Sequence, residues 1–236
     1  MGNEIFPLIF MKRIWHISDT HTHEKMLSIP ENIDWLIFSG DESNYNDARN
    51  HNECLDFLEW LEKVEIPVKI MIAGNHSFAI EKRLVTKKEI EKRGVIYLEN
   101  SEIVIDGIKI FGTPYTPSFG NWNFMKDRSK MHKVWDVMSK DVDVIISHGP
   151  PKGILDLTYD RNNNLEMCGD SNIKTRLLKE EFSPSLFCFG HLHNCQDIIN
   201  AGIVKLSEYD ITFSNGSVVT DGKFGKITSN GNILEL

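Results

Sequence analysis

Five short clusters in the 236-residue chain carry side chains of metal-ligand type. Asp19-Thr20-His21 sets a carboxylate and an imidazole two residues apart, and Gly40-Asp41 adds a second carboxylate. Gly74-Asn75-His76 offers an amide oxygen and an imidazole. Ser147-His148-Gly149 adds another imidazole, and Gly190-His191-Leu192-His193 two more. In extended backbone, residues i and i+2 face the same side, so Asp19 and His21 can act together, as can His191 and His193. A mixture of carboxylate, amide and imidazole donors suits borderline divalent ions such as Mn, Fe, Zn or Ni, not Cu(I) or an iron–sulfur cluster. Asp19, His21, Asp41, Asn75, His148, His191 and His193 are too many for one tetrahedral site and match two ions sharing a bridging carboxylate. Two divalent ions, two aspartates and a bridging hydroxide sum to roughly +1, which attracts a phosphate anion.

Taken singly the clusters are weak signals, because Asp after a strand and Gly-Asn pairs are ordinary turn chemistry. Their common setting changes that. Each follows a short apolar run: RIWHIS before Asp19, WLIFSG before Asp41, VKIMIAG before Asn75, VDVIIS before His148 and LFCFG before His191. Such runs, without alternation, read as strands buried on both faces. Functional groups in open α/β folds collect beyond the carboxyl ends of the strands. Helices are predicted over residues 50–64, 81–94 (ending at Gly94) and 171–182 (capped by Asp170). Residues 103–112 predict a hairpin turning at Asp106-Gly107. From Ile203 onward, turns at Asn215-Gly216, Asp221-Gly222 and Asn230-Gly231 predict antiparallel strands that close a second sheet. Strands alternating with helices predict an α/β fold, here one domain with two sheets spanning 1–236, with residues 1–11 as an irregular N-terminal extension.

The net charge of −8 argues against an extended nucleic-acid surface, so any phosphate must be held by local positive charge. Cys54, Cys168, Cys188 and Cys195 form no CxxC pair, which reads as free thiols in a reducing cytosol, and a cytoplasmic location is expected. The first apolar run is short and broken by Pro7, which reads against a signal peptide or a membrane partner.

With these residues assembled, the chain resembles the calcineurin-like metallophosphoesterases. Their ordered signature of Asp-x-His, Gly-Asp, Gly-Asn-His, a single His and Gly-His-x-His runs complete from Asp19 to His193. The resemblance implies a two-sheet β-sandwich flanked by helices in four α–β–β–α layers, with two divalent ions, manganese favoured, at one edge. It implies that Asp19, His21 and His193 hold one ion, that Asn75, His148 and His191 hold the other, and that Asp41 bridges them. His76 is implied to be catalytic, outside the ligand set, as an acid or a donor to the phosphate. The stretches GTPYTPSFGNWNF (112–124) and SHGPPKGILD (147–156) are similar to the metallophosphoesterase-domain-containing subgroup known from animal brain, whose activities centre on phosphodiesters, including cyclic nucleotides. Many relatives carry Asp or Glu after Gly-Asn-His, where a carboxylate can orient the histidine; here Ser77 stands there.

The expected reaction is one-step, in-line attack of hydroxide on phosphorus, with a small phosphodiester or nucleotide as substrate. Ser147 beside His148 is no Ser–His pair, because neighbours on a strand face opposite sides. Alternatives are a phosphomonoesterase or phosphoprotein phosphatase on the same metals, and a low-turnover nucleotide-binding module. Tyr115, Phe119, Trp122 and Phe124 divide evenly between core packing and base stacking. Lys152, Arg161 and Asn44 lie near the motif loops, where solvated roles serve equally well.

Overall fold

The computed structural model describes residues 11–179, 181–182, 184–206, 210–220 and 225–236. Residues 1–10 of the expected 1–11 extension and the Asp221-Gly222 turn lie outside these. The strands are β1 (Arg13–Ile17), β2 (Trp35–Phe38), β3 (Val68–Met71), β4 (Ile96–Tyr97), β5 (Ser101–Ile105), β6 (Ile108–Thr113), β7 (Thr116–Pro117) and β8 (Met125–Lys126). They continue as β9 (Val144–Ser147), β10 (Leu157–Tyr159), β11 (Leu165–Met167), β12 (Leu186–Phe189), β13 (Gly202–Leu206), β14 (Ile211–Asn215) and β15 (Asn232–Glu235). The helices are α1 (Asn50–Lys63), α2 (Phe78–Glu81), α3 (Lys87–Glu91), α4 (His132–Trp135) and α5 (Ser171–Leu178).

One sheet has the order β15-β1-β2-β3-β4 and the other β13-β14-β12-β9-β6-β5. The β1–β4 run is parallel, as are β6, β9, β12 and β14, so their carboxyl ends lie at common edges. Alternate residues of the apolar runs divide between two buried layers, as the strand period of two requires. Ile14, Ile37, Ile70, Val144, Ile146 and Leu186 meet in the layer between the sheets. Trp15, Leu36, Phe38 and Met71 face the other way, onto Phe57, Leu58 and Leu61 of α1. Ile145, Phe187 and Phe189 pack outward against Trp135 of α4 and Ile173 and Leu177 of α5. The four-layer α–β–β–α arrangement expected from the sequence is therefore present.

Asp106 and Gly107 both take positive φ (53° and 84°), as a type I′ turn requires, and β5 pairs with β6 as expected. Four expectations need correction. The helix over 81–94 is two helices. Arg83 adopts φ 59° and ends the first, and a capping box between Thr86 and Glu89 starts the second. The helix over 171–182 stops at Leu178, although Asp170 caps it as expected. The tail does not all close the second sheet: β15 pairs antiparallel with β1 and covers the open edge of the first sheet. Nor is Asn215-Gly216 a hairpin turn. Gly216 N–H donates to Phe189 O (2.8 Å) while its carbonyl accepts from Ser18 N–H (2.8 Å), so the segment after β14 seams the two sheets together.

Among the described residues no helix is long and apolar enough to cross a membrane. Lys69 on β3 is nearly buried, and its ammonium donates to the carbonyls of Leu61 (3.1 Å), Glu62 (3.2 Å) and Val64 (3.2 Å) at the end of α1. Leu61 O and Val64 O also accept from Val64 N–H (3.3 Å) and Ile66 N–H (3.0 Å), so the ammonium gathers three carbonyls at the negative end of the helix. Lys69→Met keeps the stem but removes the charged donor these oxygens share, and a loss of about 1–3 kcal/mol in chemical denaturation is expected. An unchanged midpoint contradicts this role.

Candidate metal centre

Every predicted ligand lies within a few residues of a strand's carboxyl end, and the two sheets bring them to one place. Asp19, His21 and His193 form one group of candidate ligand atoms, all within 4.8 Å of one another, and Asp41, His148 and His191 form a second. Asn75 joins the second group through Oδ1, 2.9 Å from His148 Nε2. Asp41 lies 4.0 Å from His21 on the first side and 3.2 Å from His148 on the second. The backbone is strained where it delivers them. Asp19, His21, Asp41 and His191 all have positive φ, between 43° and 71°. For non-glycine residues that conformation costs roughly 1–3 kcal/mol each and persists only where surroundings over-determine it.

Those surroundings are specific. Asp19 Oδ2 accepts from His191 N–H (2.9 Å) and the Ser217 hydroxyl (2.7 Å), and Oδ1 lies 3.1 Å from His193 Nε2. Asp41 Oδ1 accepts from His76 N–H at 2.7 Å. Gly40 (φ 105°) passes so close to the centre that a Cβ there would sit 2.6 Å from His148 Nδ1. A Cβ on Gly190 would lie 2.2 Å from Asp19 Oδ2.

The imidazoles are set in defined tautomers by backbone carbonyls. His148 Nδ1–H donates to Ser39 O and His21 Nδ1–H donates to Ser43 O, both at 2.8 Å. In the neutral ring, His148 Nε2 then presents a lone pair to two further acceptors, Asp41 Oδ2 and Asn75 Oδ1. Three acceptors converging on one buried point require a positive charge among them, either a proton or a metal ion. This donor set fits a divalent cation.

The titration behaviour agrees. Burial alone would lower the His148 pKa, but the Asp41 carboxylate outweighs it and raises it to about 9. A cation entering here must displace that proton, so metal uptake and proton release are linked. Burial, and then His193, lower His21 to about 4; burial, and then His148, lower His191 to about 3. Both therefore offer neutral nitrogens at pH 7. Burial would raise Asp19 and Asp41, but the neighbouring imidazoles hold both carboxyls below their usual range.

His76 stands at the rim, outside both groups. Its Nδ1–H donates to Asn44 O (2.9 Å), its ring stacks on Trp122 (centroids 4.3 Å apart, 31° between planes), and its carbonyl is held by the Asn50 amide. Nε2 is thereby the nitrogen left for chemistry. Ser77 does not support it. The Ser77 hydroxyl donates to buried Glu42 (2.6 Å) and accepts from Gly74 N–H (2.8 Å), tying the Gly-Asp and Gly-Asn-His loops together. Burial raises the Glu42 carboxyl above its ordinary pKa.

Sequence reasoning missed Ser217, Glu42 and the carbonyls of Ser39, Ser43 and Asn44. A carbonyl role has no side-chain signature, and Ser217 is 198 residues from the aspartate it binds. The aromatic cluster divides. Tyr115 and Phe124 pack together (5.8 Å) in the layer shared by the first sheet and α1, whereas Phe119 (52% exposed) and Trp122 (36%) line a cleft of about 530 Å³ with His21, Asp41, Asn75 and His76. Ser147 donates to Gly149 O, not to His148.

Gly190→Ala must push its Cβ into Asp19, so purified variant dialysed against manganese is expected to lose most of the bound metal by elemental analysis. Full retention would overturn the close approach described above.

Residues 12–195 match the family described as calcineurin-like phosphoesterase. The chain is 28% identical over 227 residues to "Metallophosphoesterase domain-containing protein 1" of Homo sapiens, an alignment covering 86% of this chain and 65% of that one. It is 31% identical over 191 residues to "Probable rhamnogalacturonate lyase C" of Emericella nidulans, covering 77% of this chain but 17% of that protein. The chain thus spans less than two thirds of either relative. The crystal structure of a 5'-nucleotidase precursor from Thermus thermophilus aligns with a TM-score of 0.48 and 14% identity, over 96% of this chain and 54% of that one. With its ordered signature converging on two ligand groups at the edge of a two-sheet sandwich, and with the family matched over most of its length, the chain belongs to the calcineurin-like phosphoesterases.

Proposed function

We propose that the protein is a metal-dependent phosphodiesterase acting on small diesters, cyclic nucleotides among them. The observation that carries this reading is the meeting of buried acceptors around His148 Nε2, beside a second ligand group and below His76 on the rim of the cleft. Asp19, His21 and His193 would hold one divalent ion and Asn75, His148 and His191 the other, with Asp41 between them. When bound, the ions supply positive charge for phosphate oxygens and make hydroxide available near neutral pH. Manganese is the favoured ion.

The chain's own groups do the rest. Asp41 and Asp19 fix the ligand set, and the Ser39 and Ser43 carbonyls hold the imidazoles in the tautomer that directs Nε2 inward. His76, held through Nδ1 by Asn44, can deliver a proton from Nε2 to the leaving oxygen. Hydroxide adds to phosphorus, one P–O ester bond breaks opposite it, and the proton goes to the departing alkoxide. Diesters are favoured over monoesters by charge. Beside the ligands, Arg128 and Arg161 on the cleft wall are balanced by Asp160 and Glu166, which leaves no surplus positive charge there for a dianion. A diester brings one negative charge and a monoester two.

Turnover of bis-p-nitrophenyl phosphate, p-nitrophenyl phosphate and 2′,3′- and 3′,5′-cyclic nucleotides should be measured with added manganese, iron, zinc and nickel. Metal-dependent cleavage that prefers diesters is expected. Monoester preference would establish the phosphatase alternative, and no turnover of any substrate would leave only a binding module. His191→Ala is expected to abolish activity together with metal binding. His76→Ala should lower kcat by about 10²-fold or more with metal content retained; loss of metal would refute its place outside the ligand set.

A further inference from the structure

The metal centre opens onto two hollows. Asp41, Asn75 and His191 line the first, of about 530 Å³, whereas His21 and His193 line both it and a second hollow of about 860 Å³. The other residues common to both are His76 and Trp122, whose stacked rings form the partition. That partition is fixed in place. Asn123, next to Trp122, donates through both its backbone N–H (3.1 Å) and its side-chain amide (2.9 Å) to Asn75 O, so the wall is fastened to the Gly-Asn-His loop.

The walls differ in chemistry. Beside the ligands the first hollow presents Phe119, Pro117, Leu157 and Tyr159, with the charged Arg128, Asp160, Arg161 and Glu166 also on its wall. The second offers the hydrogen-bonding side chains of Thr22, Asn44, Tyr45, Thr220 and Lys226, beside Glu53 and Val219. Each has the volume of a small-molecule site, about 300–1,000 Å³. A phosphate held between the two ligand groups lies where the hollows meet, with space on both sides. A cyclic diester joins both ester oxygens to one ring and fills one hollow only. An open-chain diester has two arms.

Building on the phosphodiesterase reading, we propose that the preferred substrate is an open-chain phosphodiester with an arm in each hollow: an aromatic or apolar arm beside Phe119, and a polar, hydroxyl-bearing arm against Tyr45 and Lys226. The two arms pass on either side of the His76–Trp122 partition, which makes Tyr45 and Lys226 specificity-determining residues remote from the reacting atoms.

Methyl p-nitrophenyl phosphate and thymidine 5′-(p-nitrophenyl phosphate) share a leaving group and differ only in the second arm, so their comparison isolates the second hollow. The full chain with manganese is expected to show kcat/KM at least tenfold higher for the thymidine diester, carried mainly by KM. In Tyr45→Ala/Lys226→Ala that ratio should fall toward one, and Lys226→Glu alone should lower it. Phe119→Ala should weaken both substrates together. Calorimetric binding of the methylphosphonate analogue of thymidylyl-thymidine, which needs no turnover, should weaken about tenfold in the double variant. A ratio near one in the wild type, or a ratio and an affinity unchanged in the variants, overturns the two-arm proposal while bis-p-nitrophenyl phosphate cleavage leaves the phosphodiesterase reading intact. Failure to cleave any diester overturns both.

Discussion

The Asp19 carboxylate joins three parts of the chain that are otherwise separate. It is fully buried at the end of β1, yet it binds the His191 backbone beyond β12, the Ser217 hydroxyl in the seam after β14, and the His193 ring. A buried carboxylate without such partners would cost several kcal/mol in desolvation. Asp19 follows a strand of the first sheet and those partners follow strands of the second, so the cost is offset only when the sandwich closes in one register. Around this contact the seam runs on, with Gly216 bridging Phe189 and Ser18, and Ser18 O accepting from Val218 N–H at 3.1 Å. The same closure brings two candidate ligand groups into contact.

A second buried polar tie reinforces the first. His16 on β1 faces the layer between the sheets and contacts Ser214 Oγ of β14 (2.7 Å) and Ser39 Oγ (2.9 Å). Burial lowers its pKa to about 3, so it remains neutral and bridges two hydroxyls instead of carrying charge into an apolar layer. Gly216 lies against this ring, where a Cβ would approach within 2.8 Å. Two carboxylates, several imidazoles and a set of serines are thus concentrated at one edge of a core that is elsewhere aliphatic and aromatic. The strain in the ligand-bearing turns is sustained by that network.

Beyond the ligands, the loops divide their work. Glu42 and Ser77 lock the Gly-Asp and Gly-Asn-His turns to one another beneath the surface, while Asn44 and Trp122 hold the His76 ring above it. A serine after Gly-Asn-His therefore has a structural task of its own. The histidine is oriented by a carbonyl, which fixes its tautomer without placing a second carboxylate beside the phosphate.

Much of this was legible in the residues. Apolar runs without alternation marked strands buried on both faces, and the clusters at their ends marked the candidate ligands, because strand direction alone determines where a polar residue after a buried run must emerge. Asp106-Gly107 announced its turn through the conformations those two residues tolerate. The break in the helix at Arg83 and the pairing of β15 with β1 were not legible, since each depends on which surface the segment meets, not on its own preferences. Likewise, the roles of Ser217 and of the Ser39, Ser43 and Asn44 carbonyls carry no local mark. The sequence by itself determined which side chains could bind metal and that they would follow strands. The tertiary structure alone decided how they divide into two groups, what orients His76, and that two hollows meet at the centre, because those depend on distances between segments that only the packed sheets establish.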